Sequence, residues 1–158
     1  MKFLIVLMLS ITLLFSAETD VDIKANNFSA DKSKNIIIFT GQVSMIKGSD
    51  TLYCDKLVVH TNNSGNGNKT DIQSYIATGH VNIKLKRPDT LMIGKGDQIR
   101  FNVDTMIYEI IGNGYLEDTV GQKIIKGEKI HYDAKNENTN IDGGKNKPVQ
   151  FKFKMEAN

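Results

Sequence analysis

From residue 18 onward apolar and polar side chains alternate with a period of two, and no stretch carries the 3.6-residue period of an amphipathic helix. Ile37, Phe39, Gly41, Val43 and Met45 share one phase, against Gln42 and Ser44. Tyr75, Ala77, Gly79, Val81 and Ile83 repeat it against Ser74, Thr78, His80 and Asn82; Tyr108, Ile110, Gly112, Gly114 and Leu116 do so against Glu109 and Asn113. Shorter runs hold Leu57 and Val59, then Ile99, Phe101 and Val103, then Ile130 and Tyr132, and finally Val149, Phe151 and Phe153. Successive side chains of a strand point to opposite faces. The pattern therefore predicts a nearly all-β chain with one apolar and one mixed face. Breaks at Lys47-Gly48-Ser49-Asp50, Lys95-Gly96-Asp97, Lys126-Gly127-Glu128 and Asp142-Gly143-Gly144 read as turns between strands of roughly five to seven residues. Pro88 and Pro148 fall at strand ends, where the missing N–H does no harm.

The same phrase returns four times. A polar pair opens an alternating run at Asn26-Asn27, Asp55-Lys56, Asp97-Gln98 and Glu128-Lys129, and a glycine opens the next at Gly41, Gly79, Gly112 and Gly143-Gly144. The offset is 15 residues in three copies and 24 in the second, where the loop Asn62 to Thr70 supplies the difference. That loop is too polar and glycine-rich to pack and reads as mobile. A fixed period means one supersecondary unit stacked on copies of itself. The first and last strands of such a stack keep unpaired backbone groups, an invitation to strand addition by another chain.

The apolar face has two uses. Sheets that face each other close it into a sandwich core; sheets that splay apart make it a trough. Gly41, Gly79, Gly112 and Gly114 leave gaps on that face, and Met45, Phe39, Phe101 and Tyr132 are deformable or broad, as a trough for chains of no fixed shape requires. Each acyl CH₂ moved there from water gains about 0.8 kcal/mol. Lys84, Lys86 and Arg87 at a strand end would meet anionic head groups or form a solvated cluster.

The beginning of the chain has a different character. Lys2, the apolar run Phe3 to Phe15 and the small pair Ser16-Ala17 have the order of a signal peptide, and the run falls short of the ~20 residues of a membrane span. Residues 1–17 are read as a cleavable leader, with an uncleaved anchor as the alternative, 18–154 as one β domain and 155–158 as a frayed tail. Twenty basic residues, Lys2 among them, stand against 18 acidic ones with no basic stripe, which excludes a nucleic-acid footprint. Cys54 is the only cysteine, so no intramolecular disulfide forms, and it reads as a half-buried, unreactive thiol. Tryptophan is absent.

No chemistry assembles from the remaining residues. His60, His80 and His131 each lie one position off an apolar phase, in different repeats, and read as solvated strand residues rather than metal ligands. Asp55, Asp97 and Glu128 recur at one phase and read as turn residues. There is no Gly-x-Ser-x-Gly, and Gly65-Asn66-Gly67 lacks the strand-to-helix context of a phosphate loop. Neither catalytic residue, metal nor cofactor is expected.

The runs Asn35 to Val43, Tyr53 to Val59, Gly112 to Leu116, Ile125 to Tyr132 and Gly144 to Val149 resemble the OstA-like (LptA) family of periplasmic lipopolysaccharide-transport bridge proteins, over about Asp22 to Phe153. The resemblance implies an open, twisted β-jellyroll whose copies join head to tail, and a non-enzymatic role in which acyl chains of lipopolysaccharide or lipooligosaccharide slide along the inner face. It implies the periplasm as location and, as partners, an LptC-like inner-membrane protein and the N-terminal domain of an LptD-like outer-membrane translocon. The implied groove positions are Phe28, Ile37, Phe39, Val43, Met45, Leu57, Val59, Val81, Ile83, Ile99, Phe101, Leu116, Ile130 and Tyr132. The implied partner-binding edges hold Val21 and Ile23 at one end and Val149, Phe151 and Phe153 at the other. The Asn/Gly loop at 62–70 and the short C-terminus depart from the family pattern. A membrane-anchored LptC-like relative would keep residues 3–15 attached. A carbohydrate-binding β-sandwich would show exposed aromatics for sugar stacking, against which the missing tryptophan counts. A hydrolase on a β-solenoid would need two close carboxylates in a cleft.

Overall fold

Ten antiparallel strands make one sheet in the computed structural model, which describes residues 20–62 and 71–157. The leader expected over 1–17 and the polar loop after Asn62 lie outside the described residues. The strands are β1 (Val21–Lys24), β2 (Asn27–Asp31), β3 (Ile36–Lys47), β4 (Asp50–Asn62), β5 (Asp71–Arg87), β6 (Thr90–Asn102), β7 (Ile107–Asp118), β8 (Lys123–Asp133), β9 (Asn138–Asp142) and β10 (Gln150–Phe153). Their order is β1-β3-β4-β5-β6-β7-β8-β10, with β2 also on β3 and β9 also on β8. The two ends do not meet, so the sheet stays open. No helix occurs among the described residues.

The central strands are 11 to 17 residues long, about twice the predicted length. Lys95-Gly96-Asp97 and Lys126-Gly127-Glu128 are not turns; they run through the middle of β6 and β8. What reads in sequence as two short strands is one long strand with a bulge. The register shifts at Thr40/Val43, Thr78/Val81 and Ile111/Gly114, where β3, β5 and β7 each insert one extra residue. At each bulge a glycine has a left-handed backbone (φ 83° at Gly41, 81° at Gly79, 79° at Gly112), and so has the residue after it (Gln42, His80, Asn113). A side chain at Gly79 would collide with Asp55, one at Gly112 with Asp97 and one at Gly41 with Asn26. The recurring polar residues are therefore not turn residues. Each fills the hollow that glycine leaves on the next strand, which is why the two recur at a fixed offset.

Aspartate and asparagine instead mark four hairpin tips outside the predicted turns. Oδ1 of Asp31, Asn102, Asp118 and Asp133 accepts hydrogen bonds from backbone amides two or three residues on, at 2.8 to 3.3 Å. The residue four positions on (Asn35, Met106, Gln122, Glu137) then takes the left-handed conformation that closes the loop.

The bulges lie on one line across the sheet and fold it over. Arg87 ends one half of β5, whereas Tyr108 and Tyr132 lie in the other half of β7 and β8. At ~3.3 Å per residue a flat sheet would hold them roughly 35 Å apart; here Arg87 acts electrostatically on both rings. The apolar faces of the two halves thus meet, and each long strand contributes to both layers. Leu57 and Ile130 are fully buried between them, with Val43, Val59 and Ile110 nearly so. Isoleucines occupy the glycine gaps: Ile110 lies over Gly96, and Ile130 over Gly114 at 3.2 Å from where a Cβ would sit. Gly41, Gly79 and Gly112 lie on the fold line and leave no hollow in the apolar face.

Candidate functional site

Away from the fold line the layers do not close completely. A cavity of about 90 Å³ remains between them, walled by Met45 of β3, Leu52 of β4, both ends of β5 (Tyr75, Ala77, Ile83, Leu85), Ile99 and Phe101 of β6, and Met106 and Tyr108. Besides the phenols of Tyr75 and Tyr108, the polar residues of its lining are Lys47, Asp50, Thr51 and Arg87. A dry 150 Å³ cavity admits one benzene ring, so 90 Å³ holds no acyl chain until the layers part. Three aromatic rings line one wall and a fourth continues the row beside it: Tyr75 to Phe101 (centroids 6.3 Å apart), Phe101 to Tyr108 (4.2 Å) and Tyr108 to Tyr132 (6.2 Å). They are cross-strand partners on β5, β6, β7 and β8, so the ladder follows from register. Burial pushes the Tyr108 phenol far above the ordinary tyrosine range.

The charges lie at the mouth. Arg87 Nη1 donates to Asp50 Oδ1 at 2.8 Å and to the Lys86 carbonyl at 2.7 Å, and the Lys86 amide donates to the same Asp50 oxygen at 3.0 Å. This ties the β3–β4 hairpin to the end of β5. The hydrogen bond it donates to Asp50 holds the Arg87 guanidinium more firmly charged than usual.

The sequence-derived groove positions divide into three groups. Val43, Leu57, Val59, Val81 and Ile130 are buried in the closed floor. Met45, Ile83, Ile99 and Phe101 line the cavity, and Tyr132 lines a smaller hollow beside it with Met92 and Leu116. Ile37 and Phe39 are half-buried, while Phe28 meets Phe39 at a tilt (centroids 5.4 Å apart) and stays 65% exposed. Leu52, Tyr75, Leu85, Tyr108 and Ile110 complete the apolar surface and were not among those positions. Tyr75, Tyr108 and Ile110 share the phase of residues that were. Leu52 was hidden because β4 changes phase at Asp55, so Leu57 and Leu52 both face inward.

The proposed edges lie at the sheet ends. Val21 and Ile23 belong to β1, Phe151 and Phe153 to β10, and Val149 just precedes β10. The Phe151 and Phe153 rings meet at a tilt with centroids 5.4 Å apart and are about half exposed. His60, His80 and His131 point away from the apolar face. The His80 side chain is 92% exposed, with Nδ1 2.8 Å from Asp55 Oδ2, and that contact raises its pKa. Cys54 faces inward and is buried rather than half-buried; burial first, then the charge of Asp55, pushes its thiol up to about 11. Among the described residues no group of three or more His, Cys, Asp or Glu could hold a metal ion.

A fold of this shape has solved counterparts. The chain is similar to LptH of Pseudomonas aeruginosa, described as the LptA-homologous periplasmic component of the conserved lipopolysaccharide transport device, with a TM-score of 0.74 over 86% of this chain and 96% of that one. At 16% identity the likeness is one of fold. Comparison with curated proteins gave no match. The family model described as LptA/(LptD N-terminal domain) LPS transport protein matches residues 22–138, from β1 through β8 to the first residue of β9, and so takes in every bulge of the folded-over sheet. On that match the chain belongs to the LptA/LptD N-terminal domain family of lipopolysaccharide-transport proteins.

Proposed function

We propose that this protein is a non-enzymatic segment of a periplasmic bridge, holding the acyl chains of lipopolysaccharide or lipooligosaccharide between its two layers and passing them from copy to copy. The observation that carries this reading is an apolar inner face that runs from one open sheet edge to the other. Phe28 and Phe39 stand at the β2 end, the four-ring ladder in the middle, and Phe151 and Phe153 at the β10 end. Burial of chains there at about 0.8 kcal/mol per CH₂ needs no polar recognition along the path. The small volume of the cavity supports a wall that parts on loading rather than a standing tunnel.

Head-to-tail joining is supported by the bulge pattern. Along the sheet Asn26, Gly41, Asp55, Gly79, Asp97, Gly112 and Glu128 alternate polar residue with glycine, and Gly144 packs against Glu128 in turn. The series begins on a polar residue and ends on glycine, so a second copy continues it. The same ends would meet an LptC-like inner-membrane protein on one side and the N-terminal domain of an LptD-like translocon on the other.

The test is photocrosslinking in cells with a probe at Phe101, at Met45 and, facing outward, at His80. Lipopolysaccharide adducts at the first two and none at His80 are expected. Adducts to protein only, at all three positions, would overturn the reading.

A further inference from the structure

Two apolar stripes of the inner face end in a cation at the same rim. On β3 the inward series is Val43, Met45, Lys47, and on β5 it is Val81, Ile83, Leu85, Arg87. Both cations border the apolar cavity, and the group between them is the carboxylate of Asp50. Lys47 is the cross-strand partner of Asp50, yet Asp50 turns to Arg87, and among the described residues Lys47 has no carboxylate within ion-pair distance. The one anion is thus taken up by Arg87 and the Lys86 amide and leaves the second cation, among the described residues, without a carboxylate partner, beside a pocket with apolar walls. An arginine fork favours planar, bidentate contact with carboxylate or phosphate. Here it makes one bond to Asp50 and spends another on the Lys86 carbonyl.

We propose that Lys47, Arg87 and the Lys86 amide form the anionic head-group subsite of the cavity, and that Asp50 occupies it in the empty protein as an internal stand-in for a phosphate. This rests on the cavity holding acyl chains and adds which end of the amphiphile lies at which rim. Loading then exchanges one anion for another: a phosphate oxygen takes the Arg87 and Lys47 donors, Asp50 swings to solvent, and the tie between the β3–β4 hairpin and β5 is released. The occupant is an amphiphile bearing phosphate beside its acyl chains, and release of the tie frees the β3–β4 hairpin at the mouth of the cavity.

The test compares binding of lipid A with lipid A stripped of both phosphates. The parent is expected to prefer the phosphorylated form by roughly 10-fold or more, as charge-assisted contacts imply. Combining Lys47→Gln with Arg87→Gln should bring the ratio to about 1 with the stripped lipid still bound, and Arg87→Lys should keep part of the preference. Asp50→Asn, which removes the internal competitor, should tighten lipid A several-fold and leave the stripped lipid unchanged. An unaltered ratio in the double variant, or an Asp50→Asn change equal for both lipids, overturns the subsite and leaves the acyl-chain cavity standing. Failure of the parent to bind either lipid overturns the cavity itself. Inorganic phosphate binding as tightly as lipid A would reassign the rim as a free-anion site.

Discussion

At the scale of single residues the outward face holds charges that water already satisfies, and the inward face holds groups whose ordinary chemistry is suppressed. Cys54 is the clearest case. Its thiol is pushed up to about 11 by burial and by the neighbouring Asp55 carboxylate, and the thiolate is the reactive form. At pH 8 the native protein should react with a disulfide reagent on the order of 100-fold more slowly than a free thiol, and at the ordinary rate in denaturant. Equal rates in both conditions would mean that the layers stand open without cargo. The buried state of Cys54 was not legible in the sequence, because the β4 phase change at Asp55 reverses which residues face inward.

At the scale of elements, the hairpin tips have a predictable acid response. The Asp31 carboxyl is held below the usual range first by the Ser33 hydroxyl, and that of Asp133 first by the Asn136 side chain. For Asp118 burial alone would raise the pKa; the Gly121 amide, the Thr90 hydroxyl and the Val120 amide outweigh it. A carboxyl with a lowered folded-state pKa contributes stability that is present above its unfolded value, about 3.9, and lost as pH falls through the folded one. Melting temperature should therefore drop between about pH 5 and pH 3. Asp118→Asn should lie about 1 kcal/mol below the parent at neutral pH and flatten that slope, measured by thermal unfolding across pH. Identical slopes would show that the tip does not contribute. These tips escaped the sequence reading because their signal is an aspartate or asparagine with a left-handed residue four positions later, as in Asp133 and Glu137. Glycine drew attention instead to Gly96 and Gly127, which lie in mid-strand. The inward phase of Phe39, Phe101 and Tyr132 was legible, since alternation is local. Which of those residues lie in a filled floor and which border a cavity was not, since that follows from the fold-over.

At the scale of the whole molecule, the rows of the sheet supply a register for the proposed joining of copies. One row runs Asp22, Ile46, Thr51, Lys84, Ile93, Glu117, Ile124, Lys152, and its neighbour joins Ile23 to Phe151. Each step along the sheet is antiparallel, so a second copy in the same orientation sets its β1 antiparallel to β10, with Asp22 opposite Lys152 and Ile23 opposite Phe151. Directly opposed strand residues lie 4.5 to about 5.5 Å apart at Cα, within disulfide reach. The Asp22→Cys, Lys152→Cys double variant should give a ladder of oligomers on mild oxidation, read by non-reducing electrophoresis. Lys84→Cys with Lys152→Cys, pairing an edge with the sheet interior, should not. A ladder from the control pair alone would refute this register.

The line of bulges acts on such an assembly as the spine of a book. Because every long strand belongs to both covers, the covers cannot slide past one another or detach strand by strand; they can only swing about the spine. Swinging changes backbone angles at Gly41-Gln42, Gly79-His80 and Gly112-Asn113 together, while the hydrogen bonds on either side carry the same rotation from strand to strand. A protein of this shape therefore opens along its length as one piece. Copies joined edge to edge as proposed would share one spine, so cargo entering the first volume would begin to open the next before it arrives.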